Sequence, residues 1–100
     1  MSEIIALDLD KIESDCAIDW EDWLEKEKEL IRVRFGTDPE AVKYWPDDYY
    51  EKMEEAWRQG FREPIQVFND ADVIRIDDGW HRTAICHKIG LRKIPAIFIR

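Results

Sequence analysis

One hundred residues with 45% apolar side chains are enough for one domain around one buried core, and no apolar run approaches the ~20 residues that cross a bilayer. The chain carries 23 Asp/Glu against 15 Lys/Arg, a net charge of −8, which repels a phosphate backbone and disfavours direct DNA binding. The charge is uneven: residues 1–60 sum to −10 and residues 61–100 to +2, so only the C-terminal part suits an anionic ligand.

In chain order, Ile4-Ile5-Ala6-Leu7-Asp8-Leu9 predicts a short strand leading into Asp10-Lys11-Ile12. Asp19 stands as an N-cap for a helix to Phe35, along which Trp20, Trp23, Leu24, Ile31 and Phe35 recur at helical spacing, with Gly36 as its C-terminal glycine. On its outer face Asp22 faces Lys26 and Glu29 faces Arg32, as on a solvated helix surface. Thr37-Asp38-Pro39-Glu40 starts a short helix that Trp45-Pro46 ends. Asp47 or Asp48 caps the next helix, Asp48 to Gln59, whose apolar stripe is Tyr50, Met53, Ala56 and Trp57 and which closes at Gly60.

Ile65–Phe68 and Val73–Ile76 read as a hairpin turning at Asn69-Asp70, Trp80–Lys88 as a helix ending at Gly90, and Ile94–Ile99 as a last strand. The fold class expected is α+β, a small mixed sheet packed with helices. Its core is expected to draw on Trp23, Leu24, Ile31, Met53, Trp57, Ile65, Val67, Ile74, Ile85, Ile89 and Ile97. Cys16 and Cys86 lack metal-type spacing and read as free thiols, no His/Asp metal cluster stands out, and the N-terminus lacks a signal-peptide pattern. A cytoplasmic location is the expectation.

The chemistry concentrates at Asp77-Asp78-Gly79-Trp80-His81-Arg82-Thr83. A strand turning directly into a helix leaves the first helical N–H groups without carbonyl partners, and the helix dipole adds positive potential there. The missing side chain of Gly79 would let a ligand approach the backbone. Two basic residues in a first turn oppose the dipole unless an anion sits between them, which marks His81 and Arg82 as phosphate ligands, with the Thr83 hydroxyl as a further donor. The alternative is structural: Asp77 or Asp78 caps the helix and Arg82 pairs with an acidic neighbour.

Gly79-Trp80-His81-Arg82-Thr83-Ala84, then Ile89-Gly90-Leu91 and Ile94-Pro95-Ala96-Ile97, resemble the ParB/sulfiredoxin-like superfamily. Upstream, Tyr50–Gln59 with Gly60-Phe61-Arg62-Glu63-Pro64-Ile65-Gln66-Val67 is similar to the family's helix, glycine and Gln-Pro-Ile-x-Val strand, and Leu7–Ile12 to its first strand. The resemblance implies a single domain over 1–100 with a helical insertion at about 13–48. It also implies a nucleotide phosphate held by Gly79, Trp80, His81, Arg82 and Thr83, with Arg62 and Glu63 lining the same cleft. Sulfiredoxins carry a reactive cysteine where this chain has Trp80, so sulfinic-acid reduction is not expected; ParB proteins add a DNA-reading domain beyond this module, so partition-site binding is not expected either.

Two functions follow as expectations. One is a nucleotide- or phosphate-binding domain, of NTPase or phosphotransferase type, taking ATP, ADP or CTP with Mg²⁺, and with Asp77, Asp78 or Glu63 as metal ligand or base. The other is an acidic interaction or inhibitor protein of mobile-element or phage type. Its tryptophan-bearing N-terminal part, with Trp20, Trp23 and Trp45, would engage a basic, nucleic-acid-binding partner without catalysis.

Overall fold

A computed structural model describes residues 3–35 and 49–99. Strand β1 (Ile4–Asp8) runs into a single 3-10 turn at Leu9–Lys11, followed by helix α1 (Trp20–Phe35) and helix α2 (Tyr49–Arg58). Strands β2 (Ile65–Asp70) and β3 (Val73–Asp78), helix α3 (Trp80–Lys88) and strand β4 (Lys93–Phe98) complete the order. The predicted Gly36 stop, the short helix at Thr37–Glu40, Trp45-Pro46 and the Asp47/Asp48 cap lie outside the described residues.

The four strands form one mixed sheet in the order β1-β4-β2-β3. β4 is antiparallel to β1, Ala6 facing Pro95, and parallel to β2, Ile65 facing Ala96. β2 and β3 form the predicted antiparallel hairpin, but its turn lies at Ala71-Asp72 rather than Asn69-Asp70, because Asn69 pairs with Ile74 and Asp70 with Val73. Ala71 takes the left-handed conformation, φ +56°, that a tight two-residue turn demands. The register is held from the core side, where Val67, fully buried, faces buried Ile76.

Parity along the strands decides what is buried. Leu7, Ile65, Val67, Ile76, Ile94 and Ala96 join Leu24 of α1, Tyr50 and Trp57 of α2, and Ala84, Ile85 and Cys86 of α3 in one apolar core. Leu24, Trp57, Ile65, Val67 and Ile85 are buried as expected; Trp23, Ile31, Met53, Ile74 and Ile89 are half-buried and pack against that core. Ile97 does not reach it. It alternates with Ala96, so the strand turns the small residue inward and leaves the isoleucine half-buried on the other face of the sheet.

Local signals set the helix starts. Asp19 caps α1 through its carboxylate, which accepts the Asp22 N–H at 3.1 Å, and the outer-face pair Asp22–Lys26 closes at 2.9 Å. The segment between the 3-10 turn and α1 is tied to the sheet's far edge: Ile12 bridges Ile74, and the Glu13 N–H donates to the Ile74 carbonyl at 2.8 Å. Glu13 itself is 6% exposed with φ +51°. Its carboxylate accepts the Ile76 N–H at 3.1 Å and pairs with Arg75 at 2.7 Å. No helix of the described residues is long and apolar enough to cross a membrane.

Candidate functional site

The strand-to-helix junction begins with a bulge. Gln66 faces Asp78 while Val67 faces Ile76, so Asp77 is the unmatched residue of β3, and the extra residue bends the strand into the turn that starts α3. Asp77 and Asp78 are both exposed and end β3; neither caps α3, whose N-cap is Gly79 with no side-chain bond. The first turn of α3 contains no acidic residue. Its early N–H groups and positive dipole end therefore meet no carboxylate of their own turn.

Gly79 has φ +119°, and a Cβ placed on it would overlap the Ile65 side chain. The direction left by the absent side chain is thus taken up by β2: the glycine is there for the left-handed turn and for close strand contact.

Past Gly79 the motif side chains diverge. Trp80 packs against Trp20 and Trp23 of α1, ring centroids 5.7 and 5.8 Å away. His81 also turns toward the helices: its Nε2 lies 3.2 Å from the Tyr50 hydroxyl and 3.8 Å from a Glu27 carboxylate oxygen, and its ring sits 5.5 Å from that of Trp23. Burial pushes the His81 pKa down, opposed by the nearby Glu27 charge. The Tyr50 hydroxyl is pushed up to about 12, first by burial and then by the charge of Glu27, so it stays protonated. Thr83 is fully buried and its hydroxyl donates to the Gly79 carbonyl at 2.9 Å, which spends its proton inside the helix.

Arg82 takes the other side. Its Nη1 donates to the Pro64 carbonyl at 3.0 Å, and its Nη2 lies 3.5 Å from the exposed Glu63 carboxylate. That matches the pairing with an acidic neighbour that the sequence left open. Arg62, next to Glu63, has an exposed side chain whose Nη1 donates to the Trp57 and Phe61 carbonyls at 2.6 and 2.5 Å. The structure therefore brings Asp78, Gly79, Arg82 and Glu63 around one helix end, while Trp80, His81 and Thr83 face the protein. Tyr50, Glu27 and Trp23, which hold His81, carry no signal in the sequence because 31 residues or more separate them from it in the chain and only the packing of three helices brings them together.

Cys86, inside α3, has its thiol pushed up to about 12 by burial. Among the described residues one group of metal-type ligands lies close together, Glu13, Asp15 and Cys16. A guanidinium nitrogen of Arg75 stands 2.7 Å from both carboxylates and 3.8 Å from the sulfur, so a cation already occupies that centre.

No protein-family model matches the sequence, and no curated protein does. Among solved structures, the crystal structure of sulfiredoxin from Arabidopsis thaliana aligns over 98% of this chain and 85% of that one, with a TM-score of 0.56 at 19% identity. The likeness is one of fold.

Proposed function

We propose, for a chain that carries the ParB/sulfiredoxin-like fold, that the N-terminal end of α3 binds the phosphate of a nucleotide. The observation that carries this reading is Arg82. It stands in a helical first turn free of acids, its fork is oriented by the Pro64 carbonyl, and its one carboxylate contact among the described residues, Glu63, is loose and exposed. A phosphate oxygen gives such a guanidinium a charge-assisted bond that an exposed carboxylate 3.5 Å away does not match. The neighbouring N–H groups of α3 supply the remaining donors.

Phosphoryl transfer to water or to a small hydroxyl compound is the chemistry in keeping with such a site, with ATP, ADP or CTP as the nucleotide. Mg²⁺ retains most of its water and takes one or two carboxylates besides phosphate oxygens, a demand that exposed Asp77 and Asp78 fit. Glu63, released from Arg82 by the phosphate, is the candidate base. Burial disfavours the charged form of His81, whose contact with Tyr50 positions the turn. Sulfinic-acid reduction is not part of this reading: Trp80 occupies the position of the reactive cysteine, and the raised pKa of Cys86 leaves almost no thiolate. Two free thiols fit a reducing, cytoplasmic setting.

The test is calorimetric titration with ATP, ADP and CTP, with and without Mg²⁺, on the wild type, Arg82→Ala and Glu63→Gln. Arg82→Ala weakens binding by ~1.5–3 kcal/mol, the scale of a charge-assisted bond, whereas Glu63→Gln leaves or improves it. Equal affinity in wild type and Arg82→Ala rejects the site.

Silence toward every nucleotide would favour the second reading, an acidic protein that docks on a basic partner. One observation supports that alternative: Leu30 and Val33 of α1 are 48% and 74% exposed beside the acids of the same helix. Trp20 and Trp23 do not contribute to such a face, since both are half-buried against α3, and Trp45 lies outside the described residues.

A further inference from the structure

Away from the α3 terminus, an open groove of about 330 Å³ runs along β1 and β4. Its lining combines Ile4, Ile5, Ile94 and Pro95 with two cations, Arg62 and Lys93. Among the described residues no acidic one lines it, in a chain where acids outnumber bases by 23 to 15. We propose that this groove binds a short aliphatic monocarboxylate.

Three features define the ligand. The apolar part of the lining, chiefly exposed Ile4 with Pro95 since Ile94 is fully buried and Ile5 half-buried, favours an aliphatic body over a polar one. The two cations of the lining call for an anion. Arg62 is held in place for this: its guanidinium lies 5.2 Å from the centre of the Trp57 ring, and one of its nitrogens is fixed by the Trp57 and Phe61 carbonyls. The guanidinium thereby has little rotamer freedom to lose. Lys93 has only a weak prior commitment, a 3.7 Å contact with Asp8 between two well-exposed side chains. A carboxylate complements the positive charge of the lining. A di- or triphosphate would drag several charges over the isoleucines. The volume, near the small end of ligand clefts, matches a chain of a few carbons.

The proposal stands apart from the nucleotide reading. Arg62 faces the groove, whereas its neighbour Glu63 pairs with Arg82 at the α3 terminus.

The probe is hexanoate, titrated into ¹⁵N-labelled protein with amide shifts as the readout, beside its neutral isostere hexanamide. Saturable shifts are expected at residues 4–6 and 93–95, with hexanamide at least about tenfold weaker, since it lacks the charge that both cations require. Lys93→Gln, a change on an exposed side chain, should weaken hexanoate about fivefold without moving the melting temperature. Ala6→Phe, which fills the groove from its exposed lining strand, should abolish the shifts. Equal binding of hexanoate and hexanamide, shifts that do not saturate, or undiminished affinity in Lys93→Gln or Ala6→Phe would overturn the proposal.

Discussion

At the scale of single residues, Gly79 shows how one position serves two demands. Its positive φ and its contact with Ile65 both exclude a side chain, so Gly79→Ala should destabilise the protein by about 2–4 kcal/mol, combining backbone strain with overpacking. Urea unfolding measures it, and a loss below 1 kcal/mol would mean that β2 yields to the methyl group. The histidines give a second residue-scale expectation. His87 stacks on Trp20 at 5.0 Å with its Nε2 buried and unpartnered among the described residues, and burial lowers its pKa as it does that of His81. The unfolded chain therefore takes up protons first, at its ordinary ~6.5, while the folded chain resists them. Stability should be flat above pH 7 and fall as the pH drops through 6.5 toward the lower folded values. Asp15 and Glu54, lowered by Arg75 and Lys88 respectively, add their own losses only at the more acidic pH where carboxylates titrate. Urea midpoints between pH 8 and 5 should show the first decline, and His87→Phe, which keeps a ring against Trp20, should make it shallower.

At the scale of elements, α1 is bound to the rest through two kinds of contact. Its aromatic residues grip α3, and Leu24, 1% exposed, enters the core. Leu24→Ala should therefore cost about 3 kcal/mol, as for other buried leucines, and a cost near zero would show α1 to be a loosely held appendage. The segment before α1 depends on Arg75, which also contacts Asp70 at 3.3 Å. Arg75→Met strands the Glu13 carboxylate and should lower the melting temperature and speed hydrogen exchange of the Glu13 and Ile76 amides. All seven regular elements among the described residues were legible in the sequence, because their periodicities, Asp19 and the glycines are local signals. The hairpin turn was misplaced by two residues because its position is set by Val67 meeting Ile76 across the sheet, which no dipeptide rule contains. The strand-to-helix junction proposed as the site was legible as a place, and the arrangement of its side chains was not. Gly79 and Arg82 could be read from their spacing, but the directions of His81 and Thr83 depend on α1, α2 and the carbonyl of Gly79.

For the whole molecule, the charge division found in the sequence acquires a location. The C-terminal forty residues, which alone carry a positive balance, build β2, β3, α3 and β4, and both the Arg82 terminus and the Arg62/Lys93 groove draw their cations from them. The acidic N-terminal part supplies α1, α2 and the edge strand β1. Strand order gives the assembly a particular kinetics. Among the described residues β1 pairs with β4 alone, and β4 is also the strand that joins it to the β2–β3 hairpin. During synthesis β1 thus waits until β2, β3 and α3 have been made before its neighbour exists, and the sheet closes in one late step over a long loop, which makes for slow folding. Until then Ile4, Ile5 and Leu7 stand on an unpaired edge open to other chains, and the acids that follow them, including the Asp8 that later faces Lys93, oppose by charge the pairing of one nascent copy with the next.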